Sequence, residues 1–150
     1  MALNTDNAYK FGCGRYIQER DAIRQNLAAE VRRAGTKPYI VFGVNGRRVA
    51  GEQIYDALRA AGIGYAETVF TGIACDETAD ELYAAAVAEG CDLIIGVGGG
   101  VLMDAGKYAA VKHGLPIIQI PTSAATCAAT SASLSAPPTR FCAAFHRAST

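Results

Sequence analysis

Three consecutive glycines, Gly98–Gly100, lie between a short apolar segment and a segment with helical spacing. Glycines have no Cβ atom, so the backbone turns sharply here and can approach a ligand closely. The first free N–H groups of the following helix point into the same space, and with the positive end of the helix dipole they favour a bound phosphate. The alternative is that these glycines serve only the packing of a tight strand-to-helix turn.

Two charged residues follow the glycines, Asp104 and Lys107, three positions apart on the predicted helix. They can form an exposed ion pair of small energetic value, or they can organise the loop and its ligand. The segment does not match a Walker A sequence, in which lysine and a hydroxyl residue directly follow the last glycine.

A second candidate segment, Thr122–Ser131, carries hydroxyl groups and small side chains just after another apolar run. A loop of this composition can hydrogen-bond ribose and phosphate groups without crowding them. The alternative is a flexible loop of small residues.

Strands must end beside one another if these two segments are to meet. Continuous apolar runs at Tyr39–Phe42, Leu93–Val97 and Pro116–Ile120 predict strands that are covered on both faces, and Tyr65–Phe70 predicts a weaker one. Ligands bind beyond the carboxyl ends of such strands, so we expect a ligand site at the loops after Phe42, Val97 and Ile120.

Helical spacing of apolar residues separates these runs. The predicted stripes are Ile23, Leu27 and Val31; Ile54, Leu58 and Ala61; and Ala79, Leu82, Tyr83, Ala86 and Val87. The third helix is expected to begin near Asp76, with a side-chain oxygen capping free amides, and a fourth runs from Gly100 to Gly114. Strands alternating with helices predict an α/β fold: a Rossmann-like, mainly parallel sheet with helices on both faces.

Composition limits the function classes. Fourteen basic residues balance fourteen acidic ones, so no overall field attracts nucleic acid or an anionic membrane. The amino terminus lacks a secretory signal and the most apolar stretch is broken by glycines, so we expect a cytoplasmic protein. The five cysteines are scattered without a CxxC pair, which argues against a disulfide framework or a thiolate metal site.

The chain is expected to form one domain over residues 7–132. From Ser133 to Thr150 the sequence has no sustained period, and only Phe141–Phe145 is apolar. This tail is predicted to be irregular or disordered.

Taken together, these motifs resemble the amino-terminal domain of the iron-containing alcohol dehydrogenase superfamily, in particular its glycerol dehydrogenase branch. The resemblance rests on the pattern GGG-x-x-x-D-x-x-K from Gly98 to Lys107, on Pro116–Thr122, and on the small-residue run through Ser131. It implies an oxidoreductase that transfers hydride between NAD or NADP and a small alcohol or carbonyl compound. The implied cofactor-binding residues are Gly98, Gly99, Gly100, Val101, Asp104, Thr122, Ala125 and Ser131.

Two positions depart from the family pattern. Cys127 stands where glycerol dehydrogenases commonly place an aspartate near the substrate hydroxyls, so a 2-oxo acid or another small carbonyl compound is as credible a substrate as glycerol. Gly43 replaces an aspartate that often accepts the adenine ribose hydroxyls, and with Arg47 and Arg48 nearby the pocket could tolerate a 2′-phosphate. Alternatively, both arginines are solvated at a helix start.

Family members are more than twice as long, and their second, helical domain supplies an aspartate and histidines to Fe²⁺ or Zn²⁺. No such ligand set is recognised here, because neither His113 nor His146 has a partner at metal-ligand spacing. We therefore expect a truncated or frame-shifted product that is inactive alone, with a homo-oligomer possible for the full-length form. The alternatives are a noncatalytic nucleotide-binding module and an NAD-using synthase related to dehydroquinate synthase.

Overall fold

The computed structural model describes residues 15–122 and 142–146. Strands and helices alternate through most of this range. In chain order the elements are β1 (Arg15–Gln18), α1 (Ala22–Ala34), β2 (Pro38–Phe42), α2 (Val44–Ala60), β3 (Ala66–Val69), α3 (Asp76–Ala88), β4 (Leu93–Gly98), α4 (Gly100–His113), β5 (Ile117–Pro121) and β6 (Cys142–His146).

The described strands form one parallel sheet in the order β1-β6-β5-β4-β2-β3. Strands β2, β4 and β5 lie inside the sheet, and every residue in them is buried. Burial on both faces explains their continuous apolar sequences. The predicted parallel α/β, Rossmann-like fold is confirmed.

Helices cover both faces of this sheet. On one face, Leu27 of α1 and Ile54 of α2 pack in one core with Ile40 of β2. On the other face, Leu82 of α3 and Met103 of α4 belong to a second core. The stripes recognised in the sequence are therefore the helix faces that bury against the sheet.

The chain adds strands to the sheet in opposite directions on the two sides of the neighbouring strands β2 and β4. From β2 the chain passes through α2 to β3 on one side, whereas β4 pairs with the other side of β2 and leads through α4 to β5. Because α2 and α4 lie on opposite faces, their first turns diverge from a common point at the carboxyl edge of the sheet. Parallel sheets bind ligands at such a switch point.

The expectation of an irregular tail over residues 133–150 is wrong at Cys142–His146, which forms β6 between β1 and β5. Five residues are too few to show a period, and pairing with two distant strands makes this segment a strand. Strand β1, with four residues, was also not predicted, because it too depends on pairing with a distant strand. The rest of the tail lies outside the described residues, and the domain limits of 7 and 132 stay a prediction.

The start of α3 differs from the prediction in the residue that caps it. The N-cap is Cys75, whose backbone N–H donates to the Thr78 hydroxyl at 3.0 Å. The Asp76 carboxylate instead accepts a hydrogen bond from Tyr108 and pairs with Lys112 at 3.1 Å. Asp76 therefore joins α3 to α4 and does not cap its own helix.

None of the helices in the described residues combines the length and the apolar character that crossing a membrane requires.

Candidate functional site

Two helices begin side by side at the switch point. Gly43 is the N-cap of α2 and Gly99 is the N-cap of α4, so neither cap has a side chain that can accept from the first N–H groups. The first intrahelical bonds are donated by the Arg47 N–H to the Gly43 oxygen and by the Met103 N–H to the Gly99 oxygen, both at 3.0 Å. The N–H groups that precede them have no acceptor within their own helix.

A backbone contact brings these two helix starts together. The Gly43 N–H donates to the carbonyl oxygen of Val97 at 2.8 Å, at the end of β4. Each helix contributes partial positive charge from its dipole to this place. The pair of helix starts therefore suits a ligand with more than one negative oxygen, such as a diphosphate.

Beside the glycine turn lies a cleft of about 390 Å³. Phe70, Thr71 and Gly72, which follow β3, line one side, and Gly99–Leu102 line the other. A volume of this order is typical of small-molecule sites. The cleft is thus large enough for a phosphate-bearing part of a ligand.

Neighbouring glycines in the turn have different environments. A Cβ atom on Gly98 would lie 2.7 Å from Cδ2 of Leu102, so the first turn of α4 packs directly on Gly98. A Cβ atom on Gly99 would meet nothing within 4 Å. The packing explanation therefore accounts for Gly98, whereas the open space at Gly99 is available to a ligand.

The structure brings several predicted residues together. Gly98, Gly99, Gly100 and Val101 form the turn, and the Thr122 N–H donates to the Gly98 oxygen at 3.0 Å, which places Thr122 beside it. Ala125, Cys127 and Ser131 lie outside the described residues. Their roles, and the cofactor contacts of the turn residues, stay predictions.

Lys107 differs from the exposed ion pair considered above. Its side chain is only 8% exposed, whereas Asp104 is 53% exposed, and their charged groups are 3.9 Å apart. Lys107 follows buried Met103 by four residues, on the stripe of α4 that faces the core. A buried ammonium group is costly unless it is paired, and the four-residue spacing from Met103 was the signal in the sequence that Lys107 faces the core.

Gln119 was not among the residues that the sequence singled out. It is fully buried in β5, and its side-chain amide donates to the Met103 carbonyl at 2.9 Å in the first turn of α4. Its Oε1 atom has no hydrogen-bond partner among the described residues. A single polar residue in the apolar run Ile117–Ile120 was the signal that could have identified it.

The arginines near Gly43 lie in different environments. Arg47 pairs with Glu67 of β3 at 3.1 Å, whereas Arg48 is exposed and makes no ion pair within the described part of the chain. The Arg47 side chain is 52% exposed, so both arginines lie at the surface, and Arg47 differs from Arg48 in being paired with Glu67. The hydrogen bond with Tyr55 and attraction to the Glu67 carboxylate raise the pKa of Arg47 above its ordinary value.

His113 lies away from the glycine turn, near the end of α4. Its Nε2 is 2.8 Å from the Asp80 carboxylate, and its ring stacks on Tyr83 with centroids 3.9 Å apart. In residues 15–122 and 142–146, no group of three or more His, Cys, Asp or Glu residues is arranged to hold a metal ion.

Comparisons with known proteins identify related sequences. A sequence model described as iron-containing alcohol dehydrogenase matches residues 13–136. Glycerol dehydrogenase from Thermotoga maritima is 32% identical over 120 residues, which are 79% of this chain and 32% of that enzyme. Hydroxycarboxylate dehydrogenase A from Escherichia coli is 46% identical over 55 residues, which are 37% of this chain and 15% of that enzyme.

The fold is shared with a solved structure. Glycerol dehydrogenase from Schizosaccharomyces pombe superposes with a TM-score of 0.74 at 30% identity, covering 88% of this chain and 36% of that chain. The chain therefore spans about a third of the length of the glycerol dehydrogenases that it matches.

Proposed function

The chain belongs to the iron-containing alcohol dehydrogenase family, and we propose that it binds a nicotinamide dinucleotide, NAD or NADP, with the pyrophosphate against the backbone of Gly98–Val101. One observation carries the proposal: two helix starts without side-chain caps meet beside the open space at Gly99. Unsatisfied N–H groups and two dipole ends supply the positive potential that a diphosphate requires.

The remaining cofactor contacts follow from the position of the turn. Thr122 is hydrogen-bonded to Gly98 and can reach the same ligand, and Ala125 and Ser131 follow it in the sequence. Asp104 is a further proposed cofactor contact, because it is exposed on α4 about one helical turn after the glycines. The bound nicotinamide ring supplies hydride transfer, while these residues hold and orient the dinucleotide.

For the whole enzyme we propose reversible oxidation of a small alcohol, either glycerol or a 2-hydroxy acid that becomes a 2-oxo acid. The two substrate classes correspond to the names of the relatives from Thermotoga maritima and Escherichia coli. Cys127 favours the second class, because a thiol does not replace a carboxylate that holds substrate hydroxyls. The described residues offer no donor set for Fe²⁺ or Zn²⁺.

Titration of NADH into the 150-residue chain tests the site when it is repeated with Gly99→Asp. An aspartate at an N-cap suits helix stability, so the variant is expected to fold. Its carboxylate would accept from the amides meant for the pyrophosphate and repel it, and we expect at least about tenfold weaker binding. Gly99→Asn, which is nearly the same size but neutral, should lose less affinity. Equal NADH affinity in all three proteins would contradict the proposed site.

A turnover assay tests the second part of the proposal, that this polypeptide alone binds cofactor without catalysis. The chain is incubated with NAD or NADP, glycerol or a 2-hydroxy acid, and added Fe²⁺ or Zn²⁺. We expect no formation of reduced cofactor. Turnover that depends on the added metal would contradict this expectation.

A further inference from the structure

Arg47 occupies the first turn of α2, and its N–H donates to the Gly43 oxygen. Side chains on a helix lean toward its N-terminus, which would direct an arginine at this position toward the switch point. In dinucleotide-binding folds an arginine near this strand end accommodates a 2′-phosphate. Arg47 is therefore a candidate cation for the phosphate that distinguishes NADP from NAD.

The guanidinium of Arg47 is instead held against Glu67 of β3. The Cγ atom of Arg47 is 3.5 Å from the Cβ position of Gly51, one turn further along α2, and the Tyr55 ring is 3.6 Å from the same point. The guanidinium pairs with Glu67 at 3.1 Å. Glu67 lies opposite Ile40 in the sheet, two residues before the end of β2. The Arg47 charge is thus held below the carboxyl edge of the sheet.

Tyr55 fixes the other side of this pair. Its hydroxyl donates to the second carboxylate oxygen of Glu67, so both oxygens are occupied. The Tyr55 ring stacks on Tyr65 with centroids 5.5 Å apart and meets the edge of Phe42. A tyrosine hydroxyl keeps its proton at neutral pH, and burial of Tyr55 and its hydrogen bond to Glu67 raise its pKa further. The carboxylate that holds Arg47 is therefore itself anchored.

We propose that Glu67, anchored by Tyr55, is a positioning residue that keeps Arg47 away from the adenosine ribose and so makes this chain select NAD over NADP. This inference rests on the proposed function, because it assumes that the adenosine end lies beside Gly43. A 2′-phosphate beside Gly43 would then meet an Arg47 that is already paired with Glu67. Burying part of that phosphate without a free counter-charge costs binding energy.

Arg48 does not replace Arg47 in this arrangement. It is two residues from buried Gly46 and two from buried Ala50, which places it on the solvent side of α2. Gly43 has no carboxylate to repel a 2′-phosphate. Cofactor choice therefore depends on the ion pair between Arg47 and Glu67.

The test compares NADH and NADPH affinities in the wild-type chain, in Glu67→Gln and in Glu52→Gln. Glu67→Gln keeps a partner for the Tyr55 hydroxyl but releases Arg47, and NADPH should bind about tenfold more tightly while NADH changes less than about twofold. Glu52→Gln removes the same charge from an exposed position of α2 and should leave the ratio of the two affinities unchanged. An unchanged ratio in Glu67→Gln would overturn the inference.

Arg47→Gln gives an independent readout and does not depend on how Glu67→Gln folds. If Arg47 is withheld from the ribose, this variant should bind NADPH as weakly as the wild type, and it should cancel the gain when combined with Glu67→Gln. A loss of NADPH affinity in Arg47→Gln alone would show that Arg47 already contacts the 2′-phosphate and would overturn the inference. Failure of the wild type to bind NADH would instead overturn the proposed function, and the inference with it.

Discussion

The backbone N–H of Gly43 donates a 2.8 Å hydrogen bond to the carbonyl oxygen of Val97, which joins the start of α2 to the end of β4. The same oxygen would lie only 2.4 Å from a Cβ atom on Gly46. The first turn of α2 therefore approaches β4 so closely that no side chain fits between them. This contact holds the α2 helix start next to the glycine turn that begins α4.

Replacement of Gly46 by alanine is expected to break this approach. The added methyl group overlaps a backbone oxygen that cannot rotate away, so we expect a loss of about 2 kcal/mol or more in the free energy of unfolding, measured with urea. NADH affinity should fall as well, because the two helix starts must separate.

Gly51→Ala is the matched control for that experiment. Gly51 is also buried in α2, but its added Cβ would lie 3.5 Å from the nearest atom, Cγ of Arg47, which is an ordinary contact. Alanine favours the helix over glycine, so this variant should gain about 0.5–1 kcal/mol. Similar losses of stability in both variants would mean that the close approach of α2 to Val97 is not the reason that position 46 requires glycine.

The Asp92 carboxylate anchors the loop between α1 and β2. It accepts from the Thr36 and Lys37 N–H groups, each at 2.9 Å, and from the Thr36 hydroxyl at 2.8 Å. Asp92→Asn should cost about 1–2 kcal/mol, because an amide does not replace the carboxylate as acceptor for all three donors. Asp56→Asn, which breaks only the exposed pair with Arg24, should change stability by less than about 1 kcal/mol in the same unfolding assay.

The stabilising effect of Asp92 should depend on pH. Burial raises the pKa of this carboxyl, but the hydrogen bonds from Lys37 and Thr36 outweigh burial and hold the folded-state pKa below its usual value. The stabilisation is therefore fully present above the unfolded pKa of about 4 and is lost as pH falls through the folded pKa. The stability difference between wild type and Asp92→Asn should be constant from pH 5 to 7 and shrink below pH 4; a difference that grows in acid would refute this assignment.

Gln119 provides a test of buried polarity beneath the glycine turn. Leucine at this position is close in size and removes an Oε1 atom that lacks a partner in the described part of the chain, so Gln119→Leu should change stability by less than about 1 kcal/mol. Gln119→Glu would bury a carboxyl group there and should destabilise the chain by more than Gln119→Leu does. The two urea midpoints measure the contrast. Equal changes in stability for the two variants would mean that the surroundings of residue 119 are more polar than the structure indicates.

Local patterns in the sequence predict much of this fold. The runs that became β2, β4 and β5 are apolar throughout because helices cover both of their faces. In β3 the alternation of half-buried Ala66 and Thr68 with exposed Glu67 and Val69 fits an edge strand covered on one side. Strands β1 and β6 escaped prediction because they depend on pairing with distant segments.

The candidate site was only partly predictable for a related reason. The glycine turn is a local feature, and it was recognised. The contribution of the α2 helix start depends on β2 and β4 being neighbours, and the pairing of Arg47 with Glu67 spans 20 residues and two elements. Neither relationship has a signature in residue spacing.

We propose that backbone amides at the starts of α4 and α2 hold the diphosphate of a nicotinamide dinucleotide. Amide proton–nitrogen spectra of the ¹⁵N-labelled chain, recorded during a titration with NADH, would locate the bound diphosphate. We expect saturable shifts that are largest at Gly99–Leu102 and Val44–Gly46, with little change at the far ends of α2 and α4. Absence of shifts in a folded sample, or shifts concentrated elsewhere, would contradict it.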